Sequence, residues 1–211
     1  MNVSEIRSAA LHGNFHILKD FIKGDDVKMK LDENGNSVSH YLVEGNQFKF
    51  IENNISLIPD IANNFGLQHI HIAAQKGFLH CVKSLTDFLD SRNPHGFLPL
   101  HFAVSFGHAE CVEYILKNTK KCEILDINIA INILEYSKNT NPNLLQMLND
   151  RKKILVTKIT RNNQRIAKTK KIDPEQKTDL KDTGNVAEPG ISPQEPKEIM
   201  MNQIQIISKE I

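Results

Sequence analysis

The sequence is poor in the features that mark secreted, metal-binding or membrane-spanning proteins. Its 211 residues include no tryptophan and three cysteines, which form no C-x-x-C pair and no zinc-finger spacing, so neither a disulfide framework nor a metal site is predicted. No run of about eighteen apolar residues is present, which argues against a membrane span. The N-terminus carries charge and polarity where a signal peptide needs an apolar run. We therefore expect an intracellular protein that is cytoplasmic, nuclear or both.

Sequence motifs for catalysis are also missing. The chain has no G-x-S-x-G nucleophile elbow, no G-x-G-x-x-G or G-K-[ST] phosphate loop, and no H-E-x-x-H zinc motif. Cys81 and Cys111 fall on predicted buried helix positions with no neighbour that would lower a thiol pKa. We expect no enzymatic activity, no cofactor and no small-molecule substrate.

A net charge of +1 conceals a strong segregation of charge along the chain. Residues 1–150 carry 13 Lys and Arg against 17 Asp and Glu, and residues 172–211 carry four against eight. Residues 151–171 carry nine basic side chains and no acidic one. This middle segment is therefore the part of the chain that would respond to an anionic partner.

The chain contains a segment that occurs twice at an offset of thirty residues. Residues 63–85 align with residues 93–115, and seven positions are identical, namely Asn63 and Asn93, Gly66 and Gly96, His71 and His101, Ala73 and Ala103, Gly77 and Gly107, Cys81 and Cys111, and Val82 and Val112. A period of this length predicts stacked supersecondary units, each of which buries its apolar face against its neighbours.

The register L-H-x-A with glycine six residues after the histidine, and the run LPLHFAVSFGH at 98–108, resemble the ankyrin repeat. The resemblance implies an all-α-dominated repeat solenoid of helix–turn–helix units with short β-hairpin or loop connections. This chain departs from the family pattern where threonine precedes Pro-Leu-His, since the residues there are Ser37, Gln68 and Leu98. It keeps the proline of that motif only at Pro99.

The repeat extends outward from its two clear copies and predicts a domain over residues 1–150 with about five units. Those units are an N-terminal cap at 4–24, a diverged copy at 32–54, the copies at 63–91 and 93–119, and a degenerate C-terminal cap at 126–150. Beyond it, the basic segment 151–171 has enough apolar residues for a marginal amphipathic helix. The polar, proline-containing tail 172–211 is predicted to be disordered.

Histidines 69, 71 and 101 could suggest a metal site, but a structural role is the stronger interpretation. His71 and His101 occupy the repeat motif, where the resemblance implies a structural hydrogen bond. No acidic residue stands beside them at a ligand-like spacing. We expect no metal site.

Partner-binding residues follow from the resemblance, because ankyrin proteins bind partners on a concave surface made of hairpin tips and the outward side of each first helix. The corresponding positions here are Phe65, Leu67, Gln75, Lys76, His95, Phe97, Ser105 and Phe106. Four of these, Phe65, Leu67, Phe97 and Phe106, are apolar at positions expected to meet solvent, and clustered exposed apolar residues mark protein-binding sites. The alternative is that these side chains fold back onto the core or that the tail covers them.

Two functions follow. The first is a non-enzymatic interaction module, an adaptor, scaffold or inhibitor that binds a protein partner on this concave surface. The alternative is a tether to nucleic acid or to an acidic surface through the basic segment 151–171. That segment has no Phe, Tyr or Trp for base stacking, which weakens the nucleic-acid version.

Overall fold

The computed structural model describes residues 2–137 and 141–169, and most of these residues lie in helices. Ten α-helices occur in this part of the chain: α1 (Val3–His12), α2 (Phe15–Phe21), α3 (Val38–Glu44), α4 (Phe48–Asn54), α5 (His69–Lys76), α6 (Leu79–Ser84), α7 (Pro99–Ser105), α8 (Ala109–Asn118), α9 (Ile124–Tyr136) and α10 (Pro142–Thr169). Short 3-10 turns lie at Asp25–Lys28, Ile55–Leu57 and Thr86–Phe88. The tail predicted to be disordered, 172–211, lies outside the described residues.

The helices form two layers, which confirms the predicted stack of helix pairs. The first helices of the pairs pack on one another in chain order, α1 on α3, α3 on α5, α5 on α7 and α7 on α9. The second helices form the other layer, with α4 on α6 and α6 on α8. Each pair thus buries its apolar faces against the pairs before and after it.

Small and branched side chains meet where the two layers join. Ala73 and Ala103 are completely buried in the first helices, and Val82, Val112 and Ile115 are buried in the second helices. Alanine lets the paired helix axes approach closely, while the branched residues recur at helical spacing and fill the space between layers. These residue types therefore recur every thirty positions for packing reasons.

The connections between pairs are turns, and no strand occurs in the residues that the structure describes. The side chain of Asn63 accepts hydrogen bonds from the backbone N–H groups of Phe65 and Leu67 at 3.1 and 3.0 Å. Asn93 repeats this arrangement with His95 and Phe97 at 3.0 and 2.9 Å. Short Asn side chains thus satisfy the backbone N–H groups that these turns leave free.

Left-handed backbone ends the first helix of four pairs, at Gly13, Asn46, Gly77 and Gly107. Gly77 has φ of 72°, and a Cβ atom there would lie 2.4 Å from Nδ1 of His108, so both conformation and space require glycine. Asn46 occupies the equivalent position of the diverged copy, 32–54, with φ of 52°. Asparagine tolerates this region better than other side chains do, and the helix therefore still ends there.

Two predicted boundaries differ from the structure. Helix α1 begins after Asn2, whose side chain accepts a hydrogen bond from Ser4 N–H at 3.2 Å, and not after Ser4. At the other end, α10 continues through residue 150 to Thr169, because the basic residues that follow are good helix formers. The chain divides into compact units at residues 1–159 and 160–211, of which 160–169 is the described part of the second.

No helix of the described residues combines the length and the apolar character needed to cross a bilayer.

Candidate functional site

Three histidines bridge consecutive repeats in the same way. The Nδ1 atoms of His40, His71 and His101 accept hydrogen bonds from the backbone N–H three residues earlier, at 3.1, 3.2 and 2.9 Å. Their Nε2 atoms lie 2.8, 3.2 and 3.0 Å from the backbone oxygens of Leu67, Phe97 and Asp126 in the next unit. A carbonyl oxygen can only accept, so Nε2 carries the proton. Each ring therefore joins its own helix start to the following repeat.

Burial keeps these bridging histidines neutral. Desolvation lowers the pKa of His71 and of His101 to about 4, and it also lowers the pKa of His40. A neutral imidazole can accept at one nitrogen while it donates at the other, which is the arrangement observed. The structural role predicted for His71 and His101 matches this geometry.

The hydroxyl–imidazole contact that the family's threonine makes is kept in only one of the three repeats. Ser37 places its hydroxyl oxygen 2.9 Å from Nδ1 of His40, so the hydroxyl–imidazole contact is kept there. Gln68 and Leu98 make no such contact in the described structure, and their repeats rely on the backbone N–H alone. The bridge thus depends on the backbone more than on the hydroxyl.

His69 is a buried histidine without hydrogen bonds. Both of its ring nitrogens are buried and unpartnered within the described residues. Oδ1 of Asp60 lies 3.4 Å from its Nδ1 but does not form a hydrogen bond. Desolvation lowers the pKa of His69 to about 3, so the ring is neutral and this contact is not an ion pair at neutral pH. His69 stands at the first position of α5, where α7 has Pro99.

An ion pair that the sequence analysis missed joins the fourth unit to α9. Nη1 and Nη2 of Arg92 lie 2.7 and 2.9 Å from the two carboxylate oxygens of Asp126. The Asp126 side chain is 3% exposed, whereas that of Arg92 is 42% exposed. Asp126 also accepts the backbone N–H of Glu123 at 2.8 Å. The Arg92 guanidinium holds the pKa of Asp126 below its usual range against the opposing effect of burial.

Asp126 replaces the motif histidine in the last helix pair. It lies three residues after Glu123 and accepts that residue's N–H, as His101 does from Leu98. The separation of 25 residues from His101, instead of thirty, hid this equivalence in the sequence. An acidic residue at the third position of a predicted helix was the signal that could have revealed the equivalence of Asp126 and His101.

The cysteines and acidic residues offer no reactive or metal-binding site. Cys81, Cys111 and Cys122 are buried free thiols, and burial raises their pKa values to about 12, 11 and 12. They are protonated at neutral pH and poor nucleophiles. Across residues 2–137 and 141–169, no group of three His, Cys, Asp or Glu side chains could hold a metal ion.

Three of the predicted partner-binding residues are buried, so their predicted exposure is wrong. Leu67, Gln75 and Phe97 are 4%, 5% and 7% exposed. Leu67 and Phe97 follow the turn glycine directly, and their carbonyls accept the histidine bridges from the preceding unit. The bridges therefore draw the two residues between repeats, and the Phe97 ring packs edge-on against His101 with centroids 5.6 Å apart.

The other five predicted residues reach the surface. His95 is exposed, and Phe65, Lys76, Ser105 and Phe106 are partly exposed. We call these five residues the hairpin face. Lys76 forms an ion pair with Glu44 of the preceding unit at 3.3 Å. The ring of Phe106 stacks on His108, with centroids 6.5 Å apart and planes 7° from parallel.

Asn93 carries an unpaired buried donor that a substitution should remove. Nδ2 of Asn63 donates to Oδ1 of Asn36 at 2.9 Å, but Nδ2 of Asn93 has no partner, because the residue equivalent to Asn36 is Leu67. We expect Asn93→Asp to raise the free energy of unfolding by about 1 kcal/mol. Urea denaturation of the full chain measures this change.

The matched substitution Asn63→Asp serves as the control. It removes the hydrogen bond to Asn36 and places a carboxylate oxygen against the Asn36 amide oxygen. That amide is held in place, because Nδ2 of Asn36 donates to Asp32 at 2.8 Å. We expect it to destabilise by about 1–2 kcal/mol. Equal effects of the two substitutions would contradict this explanation.

Comparison with known proteins agrees with the geometry of the repeats. The family model for ankyrin repeats, in three copies, matches residues 49–128. The chain contains ankyrin repeats. Synphilin-1 of Mus musculus is a similar protein, 34% identical over 82 residues, which is 33% of this chain and 8% of that relative. The chain thus spans a small part of the length of the curated relative that it matches.

The ankyrin repeats indicate a class of interaction. They form a protein–protein interaction module, and protein partners are accordingly the class that the repeats indicate. The family is generally non-enzymatic. Helix α3, which precedes residue 49, shares the motif as well, since His40 makes the same bridge as His71.

Proposed function

We propose that this protein is an adaptor, scaffold or inhibitor that holds a segment of a partner protein against the hairpin face. The observation that supports this proposal is that Phe65, His95 and Phe106 all reach the surface on adjacent repeats. Aromatic side chains on a rigid support supply much of the binding energy in protein interfaces. Leu67, Gln75 and Phe97 act as packing beneath this surface and not as contacts.

Close spacing of the turns keeps Phe65 and His95 side by side. Asn64 N–H donates to the backbone oxygen of Asn34 in the preceding hairpin at 2.9 Å. A Cβ atom on Gly66 would lie 2.5 Å from the Pro94 ring of the next hairpin. Equivalent positions of neighbouring turns, such as those of Phe65 and His95, therefore lie side by side. A surface held in this way loses little conformational entropy on binding.

A quantitative pull-down from cell lysate tests the proposal. The native chain is compared with the Phe65→Ser, Phe106→Ser double variant, and bound proteins are quantified by mass spectrometry. We expect a specific set of proteins to lose at least about tenfold in recovery, since each aromatic anchor contributes about 1–2 kcal/mol or more. Both rings are partly exposed, so the fold should persist, and helical circular dichroism verifies this.

The matched control removes apolar side chains elsewhere on residues 1–159. Leu57 and Leu125 are 40% and 66% exposed, and the Leu57→Ser, Leu125→Ser variant loses comparable apolar surface away from the hairpin face. It should bind the same proteins as the native chain. If both variants bind the native set, the hairpin face is not the binding surface.

A further inference from the structure

Helix α10 carries an unusual block of positive charge after its first third. From residue 151 to residue 169 it has seven basic side chains and no acidic one, namely Arg151, Lys152, Lys153, Lys158, Arg161, Arg165 and Lys168. Asp150, just before this block, pairs with Lys153 at 3.6 Å. The block is longer than repeat packing needs, because α10 has 28 residues while α8 has 10.

The apolar side of α10 changes from buried to exposed along the helix. Leu144 and Leu148 are completely buried in the repeat stack. Leu155 and Ile159 continue the same side at helical spacing, 11 and 15 residues after Leu144. Leu155 is partly exposed and Ile159 is 50% exposed. Ile154, which is 58% exposed, lies off this side, about 100° around the helix from Leu155.

Positive charge flanks this apolar side in both directions around the helix. At 100° per residue, Lys152 lies just beyond Ile159 on one side. Lys158 and Arg161, three residues apart, lie on the other side of Leu155 and next to Ile154. An apolar stripe bordered by Lys and Arg is the pattern of a helix that lies in the interface of a bilayer.

We propose that α10 from Arg151 to Thr169 binds an anionic phospholipid surface. Leu155 and Ile159 enter the boundary between headgroups and acyl chains, and the flanking Lys and Arg side chains contact the phosphate and carboxylate groups. Their long aliphatic stems let the charges stay at headgroup level while the helix axis lies lower. This inference does not depend on the hairpin face.

Lipid fits the helix better than nucleic acid does. Both offer the negative charge that the basic side chains require. Nucleic acid would leave Ile159 in water, whereas a bilayer removes its apolar surface from water. The segment also has no aromatic side chain on which bases could stack.

Vesicle flotation of the full chain tests the inference. The probes are phosphatidylcholine vesicles with about one-third phosphatidylserine and pure phosphatidylcholine vesicles. We expect binding to the anionic vesicles only, with a loss of affinity as salt is raised. Each basic side chain near such a surface contributes about 1 kcal/mol of binding free energy. The Lys158→Gln, Arg161→Gln double variant should therefore bind about thirtyfold more weakly.

Two further variants separate this inference from general charge attraction. Lys120→Gln, Lys121→Gln removes the same net charge from exposed positions in the loop before α9 and should bind like the native chain. A polarity-sensitive fluorophore attached to Ile159→Cys should shift to the blue on anionic vesicles. The native thiols are buried with raised pKa values, so labelling is selective for the new cysteine.

Several results would overturn the inference. The first is equal binding to both kinds of vesicle. The second is an equal loss of affinity in the Lys158→Gln, Arg161→Gln variant and in the Lys120→Gln, Lys121→Gln variant. The third is an unshifted fluorophore on bound protein. A fourth is tighter binding of a single-stranded RNA oligonucleotide than of the anionic vesicles at the same salt concentration, which would make α10 a nucleic-acid tether instead.

Discussion

Replacing Arg92 with alanine is expected to lower the free energy of unfolding by about 3–5 kcal/mol. The substitution leaves the carboxylate of Asp126, which is 3% exposed, with the N–H of Glu123 as its remaining donor among the described contacts. An uncompensated buried charge costs more than the pair contributed. The loss should appear in urea denaturation at neutral pH, because the carboxylate is ionised in the native pair.

The reciprocal substitution Asp126→Asn should cost less. The amide keeps an acceptor for Glu123 N–H, and the unpaired guanidinium of Arg92 is 42% exposed and therefore hydrated. The exposed ion pair between Glu113 and Lys117 provides the control, since Lys117→Ala should leave stability unchanged within error. An Arg92→Ala effect no larger than that of Asp126→Asn would show that burial of Asp126 does not govern this contact.

Acidification should destabilise the repeat stack well before its carboxylates titrate. The unfolded chain protonates histidine near pH 6.5, whereas burial lowers the pKa of His71 and His101 to about 4 in the folded chain. Between these two pKa values the unfolded state binds protons that the folded state does not bind. The free energy of unfolding therefore falls as pH falls. Each unit of difference corresponds to about 1.4 kcal/mol per histidine. Urea midpoints measured from pH 7 to pH 4 should decline steeply.

His69 supplies a variant that tests this pH dependence without breaking a bridge. Its pKa is lowered to about 3, and it occupies the position that Pro99 occupies in the next repeat. Gln68 before it has φ of −86° and ψ of 163°, which a following proline allows. We therefore expect His69→Pro to keep the fold at neutral pH and to reduce the decline with acid.

The control for acidification is an exposed histidine. His80 lies on the surface of α6, and His80→Ala should leave the pH dependence of stability as it is in the native chain. A urea midpoint that stays constant between pH 6.5 and pH 4 would contradict the role assigned to the buried histidines. So would a decline that His80→Ala reduces as much as His69→Pro does.

Much of the architecture could be predicted because the repeat imposes the same physical demand every thirty residues. Asn63 and Asn93 must satisfy the same backbone N–H groups, and Ala73 and Ala103 must allow the same close approach of helices. Such local demands leave identical residues at identical positions. The exposure of Leu67 and Phe97 was predicted wrongly, because it depends on how far the neighbouring repeat reaches over them.

The sequence by itself determined the helix pairs, their turns and the structural role of His71 and His101, since these depend on contacts within a repeat or at the fixed offset. Only the tertiary structure decided which side chains of the hairpin face meet solvent and that Arg92 pairs with Asp126. It also showed that α10 continues past the last packed repeat. Burial and ion pairing join residues whose separation follows no period, so they depend on how the units stack.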